Sequence, residues 1–228
     1  TGADPVGTAW LASDLALDGV GFSGGASDVS RDGGLLAIES SAGVRLSNCR
    51  FRVGPTSGLL LHDSQVTIED CLFEALDIAI FSHNSHGLVV RGNTVTDCAN
   101  GGILIWRDEP GPDGSIVSGN HISGVRSKAG GNGQNGNGVN IYRADGVIVA
   151  DNVVDGCDFS AVRANSTRNV QIRGNTCTNC QEVAIYSEFA FSGSIISGNI
   201  VDVAAAGISI TNFDRGGQLA VCASNIVR

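Results

Sequence analysis

Residues 88–95, LVVRGNTV, decide the fold. Leu88 and Val90 stand two residues apart, which is the alternation of a strand and not the spacing of a helix. Gly92-Asn93 then breaks the run, as small and amide-bearing residues do at turns, and the apolar pattern resumes at Val95. The same phrase returns as VRLSNCRF at 44–51, VTIEDCLF at 66–73, SIVSGNHI at 115–122, VIVADNVV at 147–154, VQIRGNTC at 170–177, SIISGNIV at 194–201 and, more loosely, AVCASNIV at 220–227. The turn position falls on Cys49, Cys71, Asn93, Asn120, Asn152, Asn175, Asn199 and Asn225, so by subtraction successive copies differ by 22, 22, 27, 32, 23, 24 and 26 residues. Such a period is the mark of a solenoid, in which each coil buries its apolar face against its neighbours.

A second alternating run follows each turn, as in ILIW at 103–106, VNIY at 139–142 and VAIY at 183–186, so every coil supplies at least two strands. With a degenerate first coil at residues 15–22, the chain is expected to be all-β: a parallel β-helix of about nine coils of 22–32 residues. Stacking at about 4.8 Å per coil makes a rod roughly 40 Å long. A leucine-rich repeat has a similar period but needs a leucine framework with a helix or tight turn per unit, and these copies have neither.

Residues 1–228 hold no Pro-rich or charge-rich linker, which implies one domain, and the 32 glycines belong to turns between strands. No apolar run reaches membrane-span length, and the start lacks a basic segment followed by an apolar core, so neither a transmembrane helix nor a signal peptide is expected within these residues. Arg228 follows directly on the last turn motif, so the chain is expected to be a fragment of a longer one or to meet a partner or further coils at that end. A net charge of −9 without a basic stripe excludes nucleic acid and a membrane surface as partners.

Cys177 falls in a column with Val95, Ile122, Val154 and Val201, and Cys222 in one with Val117, Val149 and Ile196, so both are expected in the core. Cys98, Cys157 and Cys180 share one position, five after the turn residue. Small buried thiols are one reading of the seven cysteines; oxidised pairs 49–71 and 157–180, one coil apart, are the other. No second pair accompanies Cys177-Thr178-Asn179-Cys180, so no metal is expected there. The repeated asparagines are expected to stack, passing amide hydrogen bonds along the axis at a left-handed turn.

Function is expected on one outward line at the ends of the second strands: His62, Phe81, Trp106, Tyr142, Arg163, Tyr186 and Thr211, flanked by Asp63, His83, Arg107, Asp108, Glu109, Arg143, Asn165 and Glu188. The two longest steps insert residues 107–114 and 126–137 beside that line, where they would wall a groove. Sugars stack on aromatic faces, so the expected partner is a polysaccharide held by Trp106, Arg107, Tyr142, Tyr186 and His83. The competing expectation is an aromatic ladder that only stabilises stacking. Catalysis has weak candidates in Asp108, Glu109, Arg143, Arg163 and Glu188. The carboxylates are spaced too far apart for acid–base hydrolysis, and no acidic cluster supports calcium or any other cofactor. Residues 130–135 make one glycine-rich loop copy without the Asp that calcium repeats need.

The Gly-Asn turns of SIVSGN and SIISGN resemble those of right-handed parallel β-helix proteins of the pectin-lyase-like superfamily, over most of the chain from about residue 15. GLVVRGNTVTDCANGGILIWR at 87–107 and GNGVNIYRADGVIVADNVV at 136–154 look like a bacterial family of twin-arginine-exported repeat proteins of unknown function. That resemblance implies a periplasmic or secreted location. The superfamily contains polysaccharide lyases and glycoside hydrolases, but the polygalacturonase motifs are absent: Asn93-Thr94-Val95 and Ser85-His86-Gly87 stand in for Asn-Thr-Asp and Gly-His-Gly, and there is no Asp-Asp pair. Two functions follow: a carbohydrate-binding and carbohydrate-modifying protein, or a non-catalytic structural or interaction β-helix. For the cysteines, intact mass before and after reduction separates the alternatives, since each oxidised pair gains two hydrogens on reduction.

Overall fold

Each coil turns three corners, so it supplies three strands where the repeat alone showed two. A computed structural model describes residues 7–24, 33–212 and 216–228. The first face stacks strands such as Ser57–His62, Ile78–His83, Gly101–Pro112, Asn137–Asp145 and Val162–Asn165. The second is a nine-stranded sheet running from Ala16–Asp18 to Gln218–Ala223, and the third includes Thr94–Thr96, His121–Val125 and Val153–Cys157. Thr176–Glu188 and Ile200–Thr211 each run continuously from the third face around the corner into the first. All pairings are parallel, the coil is right-handed, and nine strands on the second face correspond to eight steps. Among the described residues no helix is long and apolar enough to cross a membrane.

Because the period is 2, alternate residues of every strand point inward and meet the equivalent residue one level away. Leu46, Ile68, Val90, Val117, Val149 and Ile172 form one such inner column. Phe22, Phe51 and Phe73 form another on the third face, with ring centroids 4.8 Å apart and planes within 6°. Each fully buried aliphatic or aromatic side chain stabilises the rod by about 1.5–3 kcal/mol.

The corners carry the specificity. Between the second and third faces the chain passes through a left-handed residue: Gly92, Gly119, Asp151, Gly174 and Gly198 have φ between 58° and 67°. The left-handed site is therefore the residue before each ladder asparagine, where Gly costs nothing and Asp is tolerated. The asparagine turns inward instead. Asn93 Nδ2 donates to Asn120 Oδ1 at 3.0 Å, Asn120 to Asn152 at 2.9 Å, Asn152 to Asn175 at 2.9 Å, Asn175 to Asn199 at 3.0 Å and Asn199 to Asn225 at 2.9 Å. Each amide also donates to a backbone carbonyl, and each Oδ1 accepts the backbone N–H of the preceding level, so the buried amides are fully paired. Cys71 ends the amide run by giving its backbone N–H to Asn93 Oδ1 at 2.9 Å. Serines serve the corner between the first and second faces: Ser41 N–H donates to Ser64 Oγ, and Ser64 N–H to Ser85 Oγ, both at 3.1 Å.

All seven cysteines are free thiols in this structure. Cys98, Cys157 and Cys180 do occupy one buried column, completed by Val125, and Cys177 is buried in register with Val154 and Val201. Burial pushes the thiols of Cys71, Cys98 and Cys177 up to about 12, which leaves them unreactive at neutral pH. Cys222 departs from its expected place in the core. It pairs with Ile196 as its column requires, but it lies on the last strand of the nine-stranded sheet and is exposed.

Replacing Asn152 by Ala strands the backbone N–H and the amide of Asn120. Two buried unpaired donors should cost about 3 kcal/mol in chemical denaturation. The same change at the half-buried Asn225 should cost about 1 kcal/mol.

Candidate functional site

Outward positions of the first face form two columns, two residues apart, in place of the single line expected. One contains His62, His83, Trp106, Tyr142, Asn165 and Glu188. The other contains Leu60, Phe81, Leu104, Asn140, Arg163 and Tyr186. Phe81, Arg163 and Tyr186 thus leave the line of Trp106, and the supposed flanking residues His83, Asn165 and Glu188 join it. The cause lies in the core. The second inward position holds Ser82, Ala164 and Ser187 where neighbouring levels have Ile105, Ile141 and Ile210. Counting from the last large aliphatic residue therefore shifts three levels by two residues.

The inner column is outward-facing yet covered. Phe81 and Leu104 pack with Ile78, Leu60 and Trp106 into a small apolar cluster outside the main core. Trp106 meets Phe81 edge to face with centroids 5.3 Å apart, and meets Tyr142 edge to face at 6.0 Å. Beyond this cluster opens a cavity of about 430 Å³ lined by Trp106, Tyr142 and Phe189, by the amides of Asn132, Gln134, Asn140 and Asn165, and by Arg163. Tyr186 does not line it, because its column sets it beneath Arg163, whose guanidinium carbon stands 6.0 Å from the Tyr186 ring centre.

Residues 126–137 wall this cavity as expected. The loop is tied down by its own side chains: Asn137 Nδ2 donates to Gly133 O at 2.8 Å, Asn135 Nδ2 to Gly130 O at 2.6 Å, and Asn132 N–H to Gln134 Oε1 at 2.8 Å. Gly133 is required here, since a Cβ at that position would lie 2.0 Å from Arg163 Nη1. Arg163 is in turn fixed from below. Its guanidinium is paired with the buried Glu188, which also accepts from Asn165 Nδ2 at 2.9 Å.

Residues 107–114 do not line the cavity. Arg107 turns to the first corner, where Nη1 donates to Ser85 O at 3.1 Å. Asp108, on the strand of Trp106, is clasped by the neighbouring level: its Oδ1 lies 2.9 Å from His83 Nε2, its Oδ2 accepts from Asn84 Nδ2 at 2.8 Å, and its N–H donates to Asn84 Oδ1 at 3.0 Å. Those bonds, Asn84 first and His83 second, hold its carboxyl below the usual range. Arg143 donates to the Asp108 carbonyl, and its guanidinium carbon lies 4.8 Å from the Tyr142 ring centre. Glu109 is exposed. Asp108 and Glu188 belong to levels three steps apart, so the structure does not bring the candidate carboxylates together across one bond. Among the described residues no group of three or more His, Cys, Asp or Glu side chains is placed to hold a metal ion.

Four contributors escaped the sequence reading: Asn132, Gln134, Asn140 and Phe189. Asn140 had a signal, because it is a polar residue inside an otherwise apolar strand run and is buried. Glu182 was also missed. It sits exposed at the irregularity between Cys180 and Val183, close enough to feel Arg163 and Glu188, and partial desolvation pushes its carboxyl up.

The model of the right handed beta helix region matches residues 18–113 and 107–221. The chain belongs to this right handed beta helix family. No curated protein matches the sequence. Among solved structures, the family member resembles the periplasmic alginate epimerase AlgG, with a TM-score of 0.58 and 13% identity over 86% of this chain and 49% of that one. It also resembles the A-module of the mannuronan C-5 epimerase AlgE4 of Azotobacter vinelandii, with a TM-score of 0.60 and 14% identity over 99% and 74% of the two chains. An alginate lyase from Paenibacillus sp. str. FPU-7 gives 0.56 and 13% over 96% and 99%. At these identities the likeness is one of fold. This β-helix chain spans about half the length of AlgG.

Replacing Asn84 by Ala removes the largest of the bonds that hold the Asp108 carboxyl down. Its titration, followed by carbon NMR of the carboxyl, should move up toward an ordinary aspartate. His83→Ala should move it less.

Proposed function

We propose that this β-helix is an extracytoplasmic protein that binds an extended polysaccharide along its first face. The observation that carries the reading is the cavity itself, where aromatic surface from Trp106, Tyr142 and Phe189 meets four side-chain amides and one guanidinium under a tied loop. Apolar ring surface with a few convergent hydrogen-bonding groups suits a sugar, which offers apolar C–H faces and a rim of hydroxyls. The outer column continues from the cavity past Trp106 to His83 and His62, so a chain longer than one sugar has further surface to follow. Carbohydrate-active enzymes among the structures of similar fold, one of them a periplasmic epimerase, are consistent with this reading.

Modification of the bound chain is the second part of the proposal: hydrolysis of a neutral chain, or elimination from one that carries uronic acids. It would fall to His83, one level from Trp106, and Asp108, two residues beyond Trp106 on its own strand, the imidazole hydrogen-bonded to the carboxylate. The alternative is a non-catalytic structural or interaction β-helix. It is favoured by the edge-to-face packing of Phe81, Trp106 and Tyr142, which occupies part of each ring with its neighbour.

Trp106→Ala and Tyr142→Ala should each weaken binding of a glycan oligomer about tenfold or more, a loss of about 1.4 kcal/mol, in calorimetric titration. Circular dichroism should be unchanged. Full retention of binding in both variants would favour the structural reading.

A further inference from the structure

Resting on the glycan-binding reading, we infer that the groove selects an uncharged glycan and rejects a polyuronate. Among the described residues lining the cavity Arg163 is the one cation, and its charge is already matched. Arg163 and Glu188 keep only 10% and 3% of their side chains exposed, so the pair is locked away from solvent and neither partner can swing to a new ligand. A sugar carboxylate entering here would have to give up its hydration while competing with Glu188 for one guanidinium, and that exchange costs more than it returns.

The surroundings tilt the same way. Arg143, the next guanidinium along, lies over Tyr142 and donates to the Asp108 backbone, with the Asp108 carboxylate in the same residue. Glu182 adds a further carboxyl within the field of Arg163 and Glu188. Two guanidinium groups thus face three carboxyl groups, on a chain of net charge −9 whose overall field repels a polyanion. What remains to read a ligand is Asn132, Gln134, Asn140 and Asn165. A primary amide both donates and accepts, as a hydroxyl does, so a row of amides suits a row of hydroxyls and offers nothing specific to an acid group.

Oligomers that differ only at C6, matched in length and linkage, test this: mannose against mannuronate, glucose against glucuronate and galactose against galacturonate hexamers, titrated calorimetrically into the whole chain at physiological salt. The neutral member is expected to bind at least tenfold more tightly in every pair that binds at all. An acidic member that binds as tightly or more tightly overturns the inference while leaving glycan binding intact. Absence of binding by all six overturns both. The variant Glu188→Gln leaves Arg163 unmatched and should raise the affinity for the acidic member of the binding pair about tenfold. If that variant does not fold, Glu182→Gln, at an exposed position, should raise it about threefold. An acidic-to-neutral ratio unchanged in the variant that folds counts against the inference.

Discussion

Everything in this molecule depends on register, and register is held by hydrogen bonds that cannot be shared out in another way. A parallel stack fixed only by apolar columns could slip, because Val, Ile and Leu substitute for one another along the axis at little cost. The asparagine column forbids it. Each buried amide has its two donors and its oxygen committed to neighbours above and below, so a slip at any level would strand several buried polar groups at about 1–3 kcal/mol each. Specificity therefore comes from the polar corner and bulk stability from the apolar faces.

Much of the fold was legible because of that division. Asn93 and its equivalents set a ruler, and the ruler correctly stacked Cys177 on Val154 and Cys157 on Cys180. It was less secure on the first face, which lies farther along the chain from each asparagine and is separated from it by corners of variable length. There the reading relied on large aliphatic residues as markers, and Ser82, Ala164 and Ser187 removed the marker at three levels. A small residue in a core column is invisible to hydrophobic alternation, although it packs inward all the same.

The candidate site was legible in part for the same reason. Trp106 and Tyr142 were adjacent in any register, since Ile105 and Ile141 mark both levels, and the loop at 126–137 announced itself by length. Asn132 and Gln134 could not be singled out within that loop because loop conformation, set here by Asn135 and Asn137 bonding back to Gly130 and Gly133, has no period. The buried pairing of Arg163 with Glu188 was likewise hidden. It joins residues on two neighbouring columns, and only a correct register brings them together.

The amide column has a direction as well as a spacing. From Asn93 to Asn199 each Nδ2 gives one hydrogen to the next amide toward the C-terminal end, and each Oδ1 accepts from the N-terminal side, so the linked amides lie head to tail. Bonds aligned in this way polarise one another, and each is strengthened by those on either side. The corner is in this sense a wire of oriented amides with electrically unequal ends, built from side chains and not from the backbone.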